Sequence, residues 1–290
     1  MSIMSTGAMK TRQRDNCQRD NRRAKTLAGI VLICVLLFAI SAAGMLWKEE
    51  ALVADFSEKN LPPCGAHWFG TDFMGRDMLV RTVTGLSLSI RLGVLTALVS
   101  AAFAAVLGIG AAVLGRAADA VVSWLIDLML GIPHILLLIL ISYGLGKGFF
   151  GVAAGIALTH WTSLARLLRG EVLQLAESRF VQMARKLGHG PGYIARIHML
   201  PHLLPQLFTG LILLFSHAVL HEASITFLGF GLAPEQPAIG IILSESMQYL
   251  SMGYWWLGLF PGGLLVLVIL LFFWLGRSVC ALLDPASAHL

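Results

Sequence analysis

The run Leu27-AGIVLICVLLFAISAAGML-Trp47 holds 21 residues without a charge. At about 1.5 Å per residue, a helix of that length spans a hydrocarbon core about 30 Å thick. Backbone groups in hydrocarbon find no water to bond, so the run is expected to be helical. Five further apolar runs follow, at about 87–114, 120–143, 149–168, 204–228 and 255–276. The expected fold is therefore all-α: a polytopic membrane protein with six transmembrane helices. An even number of spans puts both termini on one side. The other reading of 27–47 is a secretory signal peptide, with Ser41, Ala42 and Ala43 near a cleavage point. The run is too long for one, and the polar stretch before it is unusually extended.

Composition agrees. Charged residues make up 13% of the 290, about half of the ~25% usual for soluble domains. Apolar residues reach 57%, and the mean hydropathy is +0.78. Too few polar groups remain to coat a soluble surface. Cys17, Cys34, Cys64 and Cys280 are scattered without a CxxC pair, so neither a disulfide framework nor a zinc knuckle is indicated. The net charge of +5 reads as membrane orientation, not as nucleic-acid binding. With the N-terminus inside, the inner segments carry 15 Lys and Arg and the outer segments five. That asymmetry predicts N-in, C-in.

The chain divides accordingly. Residues 1–26 form a basic cytoplasmic tail, expected to be disordered and held at an anionic leaflet. The first transmembrane helix covers 27–47, and 48–86 form an extracytoplasmic segment. Residues 87–283 form a core with five transmembrane helices, and 284–290 a cytoplasmic C-terminal tail. The second outer connection is 229–254. The inner connection 169–203 has helical composition, with an amphipathic stretch from Arg179 to Leu187 ended by Gly188, Gly190, Pro191 and Gly192.

Several chemistries are missing. There is no G-x-x-x-x-G-K-[ST] phosphate loop; Gly144-Leu-Gly-Lys147 is the nearest fragment. His221-Glu222 begins an H-E-x-x-H pattern, but position 225 is Ile. No G-x-S-x-G elbow occurs. The chain is therefore not expected to be an enzyme or to carry a cofactor, and any ATP would be bound elsewhere.

Two motifs are specific. The first outer segment reads Gly70-Thr71-Asp72-Phe-Met-Gly75-Arg76-Asp77. The inner connection reads Arg179-Phe180-Val-Gln-Met183-Ala184-Arg185-Lys-Leu-Gly188, followed by His198-Met-Leu200-Pro201. Further positions in order are Gly85, Ser89, Asp119, Asp127, Pro133, Trp161, Ala165, Arg166, Arg169 to Leu173, Phe227-Leu228-Gly229 and Leu283-Asp284-Pro285. Together they resemble the permease subunits of ATP-binding-cassette importers. More narrowly they resemble the shorter permease of the dipeptide, oligopeptide and nickel group, over roughly 66–285. The chain departs from that pattern at Gln182-Met183-Ala184, Ser87 and Ile239-Gly240.

The resemblance implies a type I importer permease in the bacterial inner membrane. It implies as partners the lipid bilayer, a second homologous permease, two ATPase subunits holding ATP and Mg, and an extracytoplasmic solute-binding protein. It also implies that the helix near 179–188 is the coupling helix that docks on the ATPase. Phe180, Met183, Ala184 and Leu187 are spaced to share one face, Arg179, Arg185 and Lys186 can form its rim, and Gly188 permits the turn that follows. Leu200 and Pro201 belong to the same coupling motif. A stand-alone channel or secondary transporter would account for the spans but not for this motif.

For cargo, ionisable groups inside spans are the pointers, because they are costly there. Asp127 and His134 lie on the third span. His217 and His221 lie four apart on the fifth, with Glu222 adjacent. Two imidazoles at i and i+4 share a helix face and can approach one nickel, cobalt, copper or zinc ion. The nickel branch is similar at this point, so nickel or a metal chelate is the first expectation, with His134 as a third group. Di- or oligopeptides are the alternative. Asp127 is read as structural.

Overall fold

The computed structural model describes residues 3–283. The C-terminal tail 284–290, with Asp284 and Pro285, lies outside the described residues. Ten helices follow one another: α1 Ile3–Leu46, α2 Met78–Leu114, α3 Arg116–Gly131, α4 His134–Gly144, α5 Phe149–Ala176, α6 Arg179–Lys186, α7 Pro191–Ile194, α8 Leu200–Phe227, α9 Ile239–Leu250 and α10 Trp256–Leu283. A short π-helical turn, Ala195–Met199, joins α7 to α8. No strand occurs among the described residues; the Thr71–Asp77 bridge is isolated.

The tail expected to be disordered is helical from Ile3 onward and continuous with the first span. The span supplies the costly helix nucleus, and each further residue then adds a hydrogen bond without that cost. Within Arg23–Leu46 only one stripe is covered, by Ile33 and Leu37, while Val31, Leu32, Val35 and Phe38 face outward. That is the distribution for a peripheral helix whose outer solvent is lipid.

Helix α2 is the central post. It begins nine residues before the apolar run, because the Asp77 side chain accepts from Leu79 N–H and Val80 N–H and caps the helix. Helix α2 thus takes in the last nine residues of the 48–86 segment. Lipid offers no hydrophobic drive between helices, so close packing must hold them. Ala97, Ala104 and Ala111 are buried at seven-residue spacing, and Gly108 lies against the Ala165 backbone of α5. Ser87 is fully buried and donates to Ser41 O of α1 at 2.7 Å, beside Gly44. An Arg at that position would push α1 away.

The expected single span 120–143 is two helices, α3 and α4, bent by 96° at Ile132-Pro133. Proline supplies no N–H and disfavours helical geometry in the residue before it, so the helix must stop. Counting that pair as one crossing, five helical elements are long and apolar enough to cross a membrane, instead of six. Helix α5 is long enough but carries Thr159, His160, Thr162 and Ser163 in its middle. One face of it is buried against other helices, Thr159, His160 and Thr162 included, so those positions need not be apolar. Two ion pairs tie α3 to α5: Asp119 with Arg169, and Asp127 with Arg166 at 2.6 Å.

Candidate functional site

Three places carry the polar chemistry. The first is a cap over one end of the bundle. The Gly70–Asp77 segment folds back so that Met78 N–H donates to Gly70 O and Asp72 N–H to Arg76 O. Gly75 sits at φ +77°, and a Cβ there would run into the Asp55 carbonyl, so the turn admits only glycine. Thr71 Oγ1 accepts from Leu61 N–H at 2.9 Å. Asp72, 3% exposed, accepts from Met74 N–H, Arg76 N–H, Arg76 Nε and Arg81 Nη1. Arg81, equally buried, also donates to Glu245 of α9 at 3.0 Å. Thus the first motif is a clasp that joins the cap, α2 and α9.

His67 closes the cap's other side. Its ring nitrogens lie 2.7 Å from Asp77 and 3.1 Å from Glu58. The hydrogen bond to Asp77, aided by Glu58, raises its pKa above the ordinary 6.5 despite partial burial. A raised folded pKa stabilises the fold below pH 6.5, and that contribution is lost as pH rises through the elevated value. The purified chain should therefore melt at higher temperature at pH 6 than at pH 8.5. His67→Gln should flatten the difference; parallel melting curves for the two proteins would refute the assignment.

The second place is a cavity of about 430 Å³ among the α3–α4 break, α5 and α8. Pro133 ends α3 so that His134 opens α4 and turns inward. There its ring centroid lies 4.7 Å from that of His160 on α5 and 4.6 Å from that of His221 on α8. His160 and His221 are 5.1 Å apart. One ligand atom from each of the three lies within 4.8 Å of the other two. His217 lines the same cavity one turn along α8, its ring 6.4 Å from that of His221. Glu222 does not line it. Successive helical residues point about 100° apart, and Glu222 faces α2, accepting from Ser89 at 2.5 Å and Thr226 at 3.1 Å. His160 looks from sequence like an isolated histidine; only tertiary packing joins it to the others.

The third place is α6. Its inward side is Val181 and Ala184, both buried. Phe180, Met183 and Leu187 are 45%, 61% and 70% exposed, and Arg185 is exposed beside them. Ala184 thus anchors the helix to its own chain instead of sharing the outer face. The helix closes in a Schellman arrangement: Gly188 N–H donates to Arg185 O, His189 N–H donates to Ala184 O, and Gly188 stands at φ +84°. Leu200 and Pro201 open α8 close behind, Pro201 exposed and Leu200 half-buried.

The family described as binding-protein-dependent transport system inner membrane component matches residues 104–285. The chain belongs to that family. It is similar to the dipeptide transport system permease protein of Alkalihalophilus pseudofirmus, 33% identical over 259 residues, covering 89% of this chain and 85% of the relative. It is similar also to the dipeptide transport system permease protein of Bacillus subtilis (strain 168), 28% identical over 272 residues, covering 93% and 85%. This permease is therefore a bacterial inner-membrane component of an ATP-binding-cassette importer, and not an enzyme in itself. ATPase and solute-binding partners follow from that membership. The expectation of a nickel branch finds no support in these relatives, which are named for dipeptides.

Proposed function

We propose that this permease is one of two homologous subunits enclosing the translocation path of an ATP-driven importer for short peptides. The observation that carries the coupling role is the outer face of α6. Met183 and Leu187 are largely exposed, and Phe180 is 45% exposed with its ring 6.3 Å from that of His198, on a helix anchored from behind by Val181 and Ala184. An apolar strip with a basic rim at one end of a bundle fits a groove on a soluble subunit. Two ATPases, closing on ATP, would move this helix and bias the bundle between inward-open and outward-open states. The dipeptide names of the relatives support peptide cargo.

In this reading the topology has six crossings, formed by α1, α2, the broken α3–α4 pair, α5, α8 and α10. The excess of Lys and Arg in the tail and around α6 supports an orientation with both termini and α6 in the cytoplasm. The cap and α9 then face the solute-binding protein. In cells without other peptide importers, deleting this chain should reduce labelled dipeptide uptake at least ten-fold. An affinity-tagged chain should copurify an ATPase. Unchanged uptake would overturn the peptide assignment, and a chain isolated without an ATPase would overturn the coupling role.

A further inference from the structure

We infer that His134, His160 and His221 form a binding site for a single first-row divalent transition-metal ion. The argument begins with the ring nitrogens. His160 Nδ1 lies 3.0 Å from Ile156 O, a group that can only accept, and 3.1 Å from Thr159 Oγ1, whose single proton goes to Gly155 O at 2.9 Å, so Nδ1 carries the proton. In the neutral ring Nε2 is then a bare lone pair. That atom is buried and has no hydrogen-bond partner, and His134 Nε2 is in the same position. Burying such atoms without partners is costly, and the neighbours do not relieve it. The rings of His134 and His221 lie 4.7 and 5.1 Å from that of His160, centroid to centroid.

A backbone hydrogen bond that fixes one nitrogen as donor and leaves the other bare is the usual support behind a metal-bound histidine. Nitrogen ligands about 2.1 Å from a metal sit about 3.4 Å from one another in a tetrahedron. Ligand atoms within 4.8 Å of one another can reach that spacing by small side-chain rotations. Three neutral imidazoles select the borderline ions, cobalt, nickel, copper and zinc, over calcium or magnesium. The three come from separate helices, α4, α5 and α8, so an ion would tie together the walls of the cavity. Three protein ligands also leave coordination positions open toward a cavity of about 430 Å³, large enough for a further donor molecule.

His217 is one turn from the cluster and serves as a control rather than a ligand. Glu222 takes no part, since its carboxylate is engaged by Ser89 and Thr226 on the far side of α8. The site stands apart from the peptide assignment, because it is read by binding without transport.

The test is titration of the purified full-length chain, in lipid nanodiscs and without a histidine tag, with cobalt chloride followed by visible absorption. One saturating equivalent with bands of a low-coordinate cobalt–nitrogen site is expected, displaced by zinc. His160→Ala and His134→Ala should each weaken binding at least ten-fold, and His217→Ala should change it less than three-fold. Each variant is checked for monodisperse elution and an unchanged helical spectrum. Absence of a saturable band in the unaltered chain would overturn the site, whatever the variants do. Equal affinity in folded His134→Ala and His160→Ala chains would overturn it as well. A chain that binds cobalt but supports no dipeptide uptake would keep the site and overturn the peptide reading instead.

Discussion

A Met183→Asp chain is expected to lose about 100-fold in ATP-driven uptake while reaching the membrane at its normal level. Met183 is 61% exposed at the centre of the α6 strip, between Phe180 and Leu187. Nothing in its own chain needs it there, so folding should be indifferent to an aspartate. An apolar anchor at the middle of a docking surface commonly contributes about 2–4 kcal/mol, and each 1.4 kcal/mol is about ten-fold in affinity. The new carboxylate would also be stripped of water in the groove, which adds to the loss. The reading is made on two quantities: the amount of ATPase that copurifies and the rate of uptake, both relative to chain in the membrane. Ala184→Asp is the informative contrast. Ala184 is buried against the chain itself, so that change should lower the amount of folded permease as well. Uptake and ATPase retention at unaltered levels in Met183→Asp would show that this face is not where the ATPase docks.

Much of the bundle is legible in the sequence because lipid imposes one strong rule, that a crossing must be apolar and helical. Arg23–Leu46, the α2 span, α8 and α10 follow from it directly. The rule weakens where helices are solvated by other helices. Helix α5 keeps Thr159, His160 and Thr162 on the face it buries against other helices, and its hydropathy falls accordingly. Pro133 is visible as a breaker, yet a breaker does not state its angle, here 96°.

The sites divide in the same way. The Gly70–Asp77 and Arg179–Gly188 motifs are contiguous, so their local geometry is written in neighbouring residues. The Arg81–Glu245 contact joins positions 164 residues apart, and the histidine cluster draws from three helices. Arg81 and Glu245 lie in the connections outside the apolar runs, where charges are ordinary, so the sequence offered no signal for their pairing. His160 offered little more, being one polar residue among several. Ala184 misled for a local reason. A spacing of three and four residues places side chains on neighbouring rows, and only the chain packed behind α6 decides which row is inward.

Asp72→Ala is expected to be the most destabilising single substitution in the cap, by about 3–5 kcal/mol. Removing one partner of a buried ion pair leaves the other charge without compensation, and that is the range such changes reach. Arg81, 3% exposed, would keep only Glu245 at 3.0 Å, and the N–H groups of Met74 and Arg76 would lose their acceptor. Total stabilities of about 5–15 kcal/mol leave little margin for a loss of that size. The chain should melt well below the unaltered protein and accumulate poorly at growth temperature. The double substitution Asp72→Leu with Arg81→Met separates charge from shape. It removes both buried charges at once and should recover part of the loss. Glu245 tolerates the change, because its side chain is 28% exposed and retains Arg76 at 3.5 Å. The two backbone N–H groups stay unpaired, so recovery should stop short of the unaltered protein. If the double variant melts no higher than Asp72→Ala, the ion pair is not what Asp72 contributes, and its backbone hydrogen bonds carry the cap instead.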